Sequence, residues 1–146
     1  MTRTTPSWDD YFLAFAATAS TRAKCTRRNV GAAVVKDHRI IATGYNGAAA
    51  GEPECLDGQC PRGRLSLDQM PPLGDYDRPG TPGFCIAIHA EVNALLNASR
   101  DTTGATVYIT DPPCAGCRKA MAAAGIVRVV WPDGEFDRVG LTGWST

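Results

Sequence analysis

Two short motifs contain the residue types that bind metals and move protons. His89-Ala90-Glu91 precedes Pro113-Cys114-Ala115-Gly116-Cys117, and His89 stands 25 residues before Cys114. One imidazole and two thiolates supply three strong ligands for Zn²⁺ and leave the fourth tetrahedral position open for water. Glu91 is two residues from His89, so it is better placed to carry protons beside the metal than to be a fourth ligand. We therefore expect a catalytic zinc site held by His89, Cys114 and Cys117.

Each of these residues alone has a simpler explanation. A lone His on a helix is more often structural, a lone Cys-x-x-Cys pair is also typical of redox proteins, and Glu91 alone is a solvated surface charge. The combination is more specific, because Glu follows His by two positions, Pro precedes the Cys pair, and both motifs open predicted helices. The joint pattern H-x-E…P-C-x-x-C is the signature of zinc deaminases, in which the glutamate is the general acid and base.

The remaining four cysteines suggest a second metal site. Cys25 follows the first predicted helix, Cys55 and Cys60 lie in a long Gly- and Pro-rich loop, and Cys85 precedes His89 by four residues. Four thiolates make a closed structural Zn²⁺ site, which would tie down a loop of unusual length. The alternative is four independent free cysteines.

Composition limits the class of protein. The 146 residues are enough for one domain, 1–146, with a core of its own. With 15 basic and 15 acidic residues the net charge is zero, which disfavours a nucleic-acid-binding surface. The sequence has no apolar run long enough for a membrane span and no apolar signal segment. We therefore expect a cytoplasmic protein, whose cysteines bind metal rather than form disulfides.

Hydrophobic periodicity predicts an α/β domain with three α-β-α layers and a mixed sheet. The first helix is expected to begin after an N-cap at Ser7 and to end near Lys24, with its aromatic residues in the core. The Gly-rich tail from residue 132 is left unassigned. In chain order, the predicted elements are a helix at 8–24, strands at 30–35 and 40–45, a loop at 46–84, a helix at 88–96, a strand at 105–110, a helix at 114–124 and a strand at 126–131.

Several segments together resemble the deoxycytidylate (dCMP) deaminases, most nearly the late-competence type, within the zinc-dependent cytidine deaminase superfamily. Gly44-Tyr45-Asn46-Gly47 is the most discriminating of them, and the resemblance extends from about Trp8 to Trp131. The other segments are Cys25-Thr26-Arg27, Val30-Gly31-Ala32, Gly51…Cys55, Ile88 to Ala94, Tyr108-Ile109-Thr110 and Pro113 to Cys117.

This resemblance implies a cytidine deaminase-like fold and hydrolysis of dCMP to dUMP and ammonia, a reaction at the C–N bond of a cyclic amidine. Zinc-bound hydroxide would attack C4, and Glu91 would shuttle the proton to N3 and then to the leaving amine. The resemblance also implies a homo-oligomer, often a hexamer. Some family members are activated by dCTP with Mg²⁺ and inhibited by dTTP.

Three residues are candidates for substrate contacts. The amide of Asn46 can both donate to and accept from a sugar hydroxyl, and the family resemblance puts it at the sugar. The planar fork of Arg27 suits the 5′-phosphate, with Arg28 and Arg118 as alternatives, and surface charge as the simpler explanation of all three. Ala90 is assigned to the substrate site by resemblance.

Two departures from the family pattern leave other substrates open. Ala48-Ala49-Ala50 stands where relatives often have Pro or Ser, and the proline-rich stretch 62–83 would cover or reshape the site. A deaminase of a modified cytidylate, or of another nucleotide or base in a phage or antibiotic pathway, would look similar. Deaminases of transfer-RNA adenosine or of free bases are disfavoured by Gly44–Gly47. A non-catalytic zinc-binding module is disfavoured by Glu91 and by the neutral charge.

Overall fold

The computed structural model describes residues 2–71 and 75–143, so residues 72–74 of the predicted loop and both ends of the predicted domain lie outside the described residues. This part contains α-helices and strands. They are α1 (Trp8–Ser20), β1 (Gly31–Lys36), β2 (Arg39–Tyr45), α2 (Ala90–Leu96), β3 (Thr106–Ile109), α3 (Ala115–Ala123), β4 (Arg128–Trp131), β5 (Gly134–Asp137) and α4 (Arg138–Thr142). Four short 3₁₀ turns lie between β2 and α2.

The five strands form one mixed sheet in the order β2-β1-β3-β4-β5, with β2 and β5 at its edges. β3 and β4 run parallel and are joined through α3, whereas the other neighbours are antiparallel. β1 and β2 form the predicted hairpin, and its turn residues Asp37 and His38 have φ angles of 52° and 57°. A two-residue turn with positive φ at both positions matches the twist of the flanking strands. The predicted mixed sheet is confirmed.

The two faces of the sheet are covered by different helices. On one face, Val35, Tyr108 and Val130 pack with Phe12 and Ala16 of α1. The opposite face packs against α2, α3 and α4 in a larger apolar cluster. Its strand residues are Ala32, Val34, Ile41, Ala42, Val107, Ile109 and Val129. Because side chains alternate between faces along a strand, this division produces three layers and confirms the predicted α/β class.

The aromatic residues of α1 are less buried than the sequence pattern predicted. Phe12 is 2% exposed and belongs to the core, but Trp8, Tyr11 and Phe15 are 53%, 43% and 39% exposed. The interpretation of these three as core residues is therefore wrong. The helix touches the sheet along a narrow stripe from Phe12 to Ala16, one turn apart, and the other rings lie on its flanks.

α1 begins as predicted but ends early. The Ser7 hydroxyl accepts a hydrogen bond from the Asp10 amide at 3.1 Å and caps the helix. The helix ends at Ser20 rather than near Lys24, because hydroxyl groups compete for its last carbonyls. Ser20 Oγ donates to the Ala17 carbonyl at 2.6 Å, and Thr21 Oγ1 donates to the Thr18 carbonyl at 2.7 Å.

The C-terminal part contains elements that the sequence did not predict. β4 starts at Arg128, two residues later than expected, and the unassigned tail forms β5 and α4. Gly125 ends α3 as predicted, with a φ of 84° that favours glycine. No helix in the described ranges has the length and apolar character that crossing a membrane requires.

Candidate active site

α2 carries His89 and Glu91 to the sheet because a glycine allows close approach. His89 is the N-cap residue of α2. A Cβ atom on Gly44 of β2 would lie only 2.3 Å from the Ala90 carbonyl oxygen, so any larger residue would push the helix away. Asn93 Nδ2 donates to the Tyr45 carbonyl at 2.9 Å and to the Ile88 carbonyl at 3.3 Å. These contacts fix the start of α2 against the end of β2.

α3 brings the two cysteines of the Cys-x-x-Cys pair to the same place. Cys114 is the N-cap residue, and its Sγ accepts a hydrogen bond from the Cys117 amide at 3.4 Å. Cys117 follows within the first turn and is 2% exposed. The positive end of a helix dipole favours thiolates at this position.

The structure brings His89, Cys114 and Cys117 together, as predicted. Their ligand atoms all lie within 4.8 Å of one another. His89 Nδ1 is 3.1 Å from Cys117 Sγ and 3.4 Å from Cys114 Sγ. Tetrahedral zinc with Zn–S of about 2.3 Å and Zn–N of about 2.0 Å requires N···S distances of about 3.5 Å. The donor set and its spacing therefore fit a zinc ion bound through His89 Nδ1.

Glu91 is a buried carboxylate beside this triad. It is 3% exposed and lines the same cavity as His89 and Cys114. Burial raises the pKa of the Cys117 thiol, and the charge and hydrogen bond of Glu91 raise it further. Two thiolates and a carboxylate that are shielded from solvent need a compensating cation. This is a second reason why the site suits zinc.

A cavity of about 580 Å³ opens in front of the triad. This is large enough for a nucleotide-sized ligand. It is lined by predicted metal ligands, by the predicted substrate-binding residues and by part of the long loop. Among its lining residues are Cys25, Arg27, Arg28, Asn46, Cys55, Cys60, Arg62, Met70, Tyr76, Cys85, His89, Ala90, Glu91, Asp111 and Cys114.

Asn46 lines this cavity, and its side-chain amide forms hydrogen bonds with the backbone of the cavity wall. Its Oδ1 accepts from the Val30 amide and its Nδ2 donates to the Arg28 carbonyl, both at 2.8 Å. An amide oxygen can accept a second hydrogen bond and an amide nitrogen can donate a second one. The sugar contact of Asn46 therefore stays a prediction. The structure adds that the Asn46 side chain positions the backbone of residues 28–30.

The three arginines considered for the phosphate lie in different places. Arg27 lines the cavity and donates to the Leu65 carbonyl, and Arg28 lines it while paired with Asp111 at 2.5 Å. Arg118 is not among the lining residues, because its guanidinium donates to the Gly140 carbonyl and stacks on a neighbouring ring. Arg27 and Arg28 therefore remain candidates, whereas Arg118 lies beside α4.

Sequence reasoning missed a further cationic residue in the cavity. Arg62 lines it, and its Nη1 donates to the Gly83 carbonyl at 3.2 Å. The available signal was its position two residues after Cys60, a predicted metal ligand whose fixed backbone would also fix Arg62. Three arginines thus lie at one cavity.

The four cysteines predicted to form a second site line the cavity on the side of the long loop. In residues 2–71 and 75–143, the group of His89, Cys114 and Cys117 is the one that brings three such ligand atoms within 4.8 Å of one another. The four sulfurs are therefore farther apart than the atoms of that group. They are nevertheless near neighbours. A Cβ atom on Gly63 would lie 2.7 Å from Cys55 Sγ and 3.7 Å from Cys60 Sγ.

Backbone amides donate hydrogen bonds to three of these sulfurs. The Arg27 amide donates to Cys25 Sγ at 3.4 Å. Burial raises the pKa of the Cys85 thiol to about 11, although a hydrogen bond from the Ala87 backbone amide acts in the opposite direction and lowers this pKa. Burial also opposes ionisation of Cys60, but hydrogen bonds from backbone amides and from Cys85 and Cys55 lower the pKa of Cys60 overall.

Tyr76 is another cavity residue that the sequence did not reveal. Its ring centroid lies 5.5 Å from that of His89, at an interplanar angle of 35°. A hydrogen bond with Cys114 and burial raise the pKa of the Tyr76 phenol to about 12. No motif surrounds this residue in the sequence.

Comparisons with known proteins agree with this site. The family model described as the cytidine and deoxycytidylate deaminase zinc-binding region matches residues 6–132. A deoxycytidylate deaminase of Mycobacterium phage D29 is 51% identical over 128 residues, which are 87% of this chain and 95% of the phage protein. ComE operon protein 2 of Bacillus subtilis is 37% identical over 131 residues, which are 87% of this chain and 60% of that protein.

Among solved structures, the dCMP deaminase of cyanophage S-TIM5 in complex with dCMP and dUMP is similar, with a TM-score of 0.65 and 28% identity. The match covers 88% of this chain and 83% of that one. The mixed sheet and its His/Cys/Cys triad with a buried glutamate define an α/β protein of the zinc-dependent deaminase class. Within this class, the chain belongs to the cytidine and deoxycytidylate deaminase family.

Proposed function

We propose that this chain is a zinc-dependent hydrolytic deaminase that converts dCMP to dUMP and ammonia. The observation that carries the proposal is the buried Glu91 beside the His89, Cys114 and Cys117 triad, facing a cavity lined with arginines. The names of the phage D29 and cyanophage relatives support dCMP as the substrate.

The three ligand residues would hold zinc, which supplies a water that ionises near neutral pH. Glu91 would accept the proton of this water and deliver it to N3 of the pyrimidine while C4 is attacked. The same carboxyl group would then protonate the leaving amine. Burial of Glu91 excludes bulk water from the proton transfer, since little of its surface is accessible.

The cavity residues would orient the nucleotide. Arg27, Arg28 and Arg62 are proposed to meet the 5′-phosphate, because a guanidinium fork matches phosphate oxygens. Asn46 is proposed to contact the sugar with the hydrogen-bonding positions that its backbone contacts leave open. Ala90 is 0% exposed and is proposed to contact the pyrimidine through its backbone.

Ammonia release from a panel of compounds tests this function. The panel contains dCMP, CMP, deoxycytidine, 5-substituted dCMP and dAMP, and we expect dCMP to have the highest kcat/KM. A preference for a 5-substituted dCMP would instead identify a deaminase of a modified cytidylate. Zinc binding without activity on any cytosine compound would contradict the proposal and favour a non-catalytic zinc-binding module.

We further propose that Cys25, Cys55, Cys60 and Cys85 bind a second, structural zinc. The support is the set of hydrogen bonds from backbone amides to three of these sulfurs, including Arg27 to Cys25 and Gly63 to Cys60. Such bonds stabilise thiolates in the way that metal ligands require. Gathering the four sulfurs around the ion would shorten their present distances.

We propose that residues 1–146 form one domain and that the enzyme acts in the cytoplasm as a homo-oligomer, hexameric by family resemblance. Regulation by dCTP with Mg²⁺ and by dTTP is proposed on the same ground. Light scattering of the purified protein tests the oligomer. Deamination rates at low dCMP, measured with and without each effector, test the regulation.

A further inference from the structure

One side chain of the long loop reaches the metal ligands themselves. Tyr76 lies in a short 3₁₀ turn, Asp75–Asp77, outside both metal-binding motifs. Its ring is half-buried, lies 5.5 Å from the imidazole of His89 and lines the cavity beside Cys114. Cys114 lies close enough to the phenol that this thiol, together with burial, raises the pKa of Tyr76 to about 12. One residue therefore lies beside two of the three ligands.

The backbone of Tyr76 is held in this position. The Cys85 amide donates to the Tyr76 carbonyl at 2.8 Å, and the Phe84 carbonyl accepts from the Arg62 amide at 2.9 Å. These bonds join the turn to the segment that leads into His89. The hydrogen bond from the Cys85 amide thus holds the backbone of Tyr76 beside the cavity.

We propose that Tyr76 is a positioning residue of the metal centre, whose phenol donates a hydrogen bond to the Cys114 thiolate while its ring packs against His89. Outer-shell donors of this kind orient a ligand and reduce the charge that it gives to the metal. A thiolate that shares its charge with a phenol leaves zinc a stronger Lewis acid. This inference rests on the proposed zinc site and adds to it a residue outside the H-x-E and P-C-x-x-C motifs.

The test compares Tyr76→Phe, which removes the hydroxyl and keeps the ring, with the control Tyr11→Phe, which makes the same change on exposed α1. Zinc affinity is measured by competition with a chelator, and cobalt(II) is used as a spectroscopic probe of the thiolates. Loss of the hydrogen bond raises the energy of the sulfur electrons, so the thiolate-to-cobalt band should move to longer wavelength. We expect zinc affinity to fall about 10-fold or more in Tyr76→Phe, as for other outer-shell residues, and neither readout to change in Tyr11→Phe.

A cobalt spectrum and zinc affinity of Tyr76→Phe equal to those of the wild type would overturn the proposal. If KM for dCMP rose while both metal readouts stayed unchanged, the phenol would be a substrate contact, and the proposal would again be wrong. Neither the zinc affinity nor the cobalt spectrum requires catalytic turnover. Failure of the wild type to deaminate dCMP would therefore count against the proposed function alone.

Discussion

At the scale of the residue, the carboxylate that we propose as the proton carrier has almost no contact with water. Glu91 is 3% exposed and adjoins Cys117, whose thiol pKa is raised by burial and by this carboxylate. Two such groups repel each other once both are ionised. A cation bound by the triad removes this conflict, so metal binding and the ionisation of Cys117 are linked.

Replacement of Glu91 by Gln separates metal binding from proton transfer. Gln keeps the size of the side chain but cannot accept and return a proton. We expect Glu91→Gln to retain zinc and to lose about 10²–10⁴-fold in kcat, the range of general acid and base catalysis. Metal analysis and ammonia release measure the two effects. A variant with nearly wild-type kcat would rule out Glu91 as the proton carrier.

The arginine that the sequence did not reveal allows a test of phosphate recognition. Arg62→Ala removes a cationic donor from the cavity, and charge-assisted hydrogen bonds contribute about 1.5–3 kcal/mol. We expect the KM for dCMP to rise about 10-fold or more, with little change in KM, or in Ki as an inhibitor, for deoxycytidine. Arg22→Ala, an exposed arginine outside the cavity, is the control. Equal losses with both compounds would assign Arg62 a structural role only.

Residue types and spacing identified the metal triad, because its ligands belong to two local motifs at the starts of two helices. Arg62 and Tyr76 could not be predicted in this way. They come from a segment without periodicity, and their positions depend on how the loop returns to the sheet. The hydrogen bond from the Arg62 amide to the Phe84 carbonyl shows that contacts between residues far apart along the chain contribute to this path.

At the scale of the element, α1 is attached to the sheet by a charged network at one end. Asp9 accepts hydrogen bonds from Tyr108 Oη at 2.8 Å and from both Nη atoms of Arg128 at 2.7 and 2.8 Å. Arg128 Nε also donates to Glu135 at 2.7 Å. One carboxylate thereby joins α1 to β3 and β4, and Arg128 extends the link to β5.

Asp9 should make stability depend on acidity. Hydrogen bonds from Arg128 lower the pKa of Asp9 below 3.8, against the opposing effect of burial. A lowered pKa in the folded state contributes stability that is present above 3.8 and is lost as the pH falls through the folded value. Because the pair is partly exposed, we expect Asp9→Asn to lower the free energy of unfolding by only about 1 kcal/mol at pH 7.

Urea unfolding of Asp9→Asn and wild type between pH 7 and pH 3 measures this contribution. The difference between the two proteins should begin to shrink as the pH falls below 3.8, where the Asp9 carboxylate of the unfolded chain becomes protonated, and should disappear as the pH passes below the lower pKa of the folded state. Asp10→Asn, which removes the other acidic residue of the first turn, serves as the control for the helix dipole. A constant difference at every pH would contradict the assignment.

Periodicity predicted the elements of the hairpin and the two site helices, because each presents an apolar face to the sheet. It wrongly predicted that the rings of Trp8, Tyr11 and Phe15 are buried, since the apolar face of a helix can be wider than the sheet surface that packs against it. It also failed for β5 and α4. These two elements are short, and tertiary contacts such as those of Arg138 with the carbonyls of Ala122 and Ile126 stabilise them.

At the scale of the whole molecule, two metal sites would hold different parts of the chain. We expect two zinc ions per chain in the wild type and one in Cys60→Ser, which changes the buried centre of the four-cysteine group. Limited proteolysis should cut the loop 46–84 faster in this variant, because the loop loses its cross-link. Cys114→Ser should also bind one zinc but keep the loop resistant. Retention of two ions by Cys60→Ser would contradict the second site.

The position of β2 and β5 at the edges of the sheet bears on how copies of this chain can associate. Exposed strand edges pair readily with other chains unless they are short, charged or covered. The Ile41 carbonyl of β2 accepts hydrogen bonds from the amide and hydroxyl of Ser99, at 3.2 and 3.1 Å. β5 has four residues, including the acidic Glu135 and Asp137. Both features disfavour edge-to-edge polymerisation of the sheet, a common route to aggregation, so that the proposed homo-oligomer would form through helix and loop surfaces.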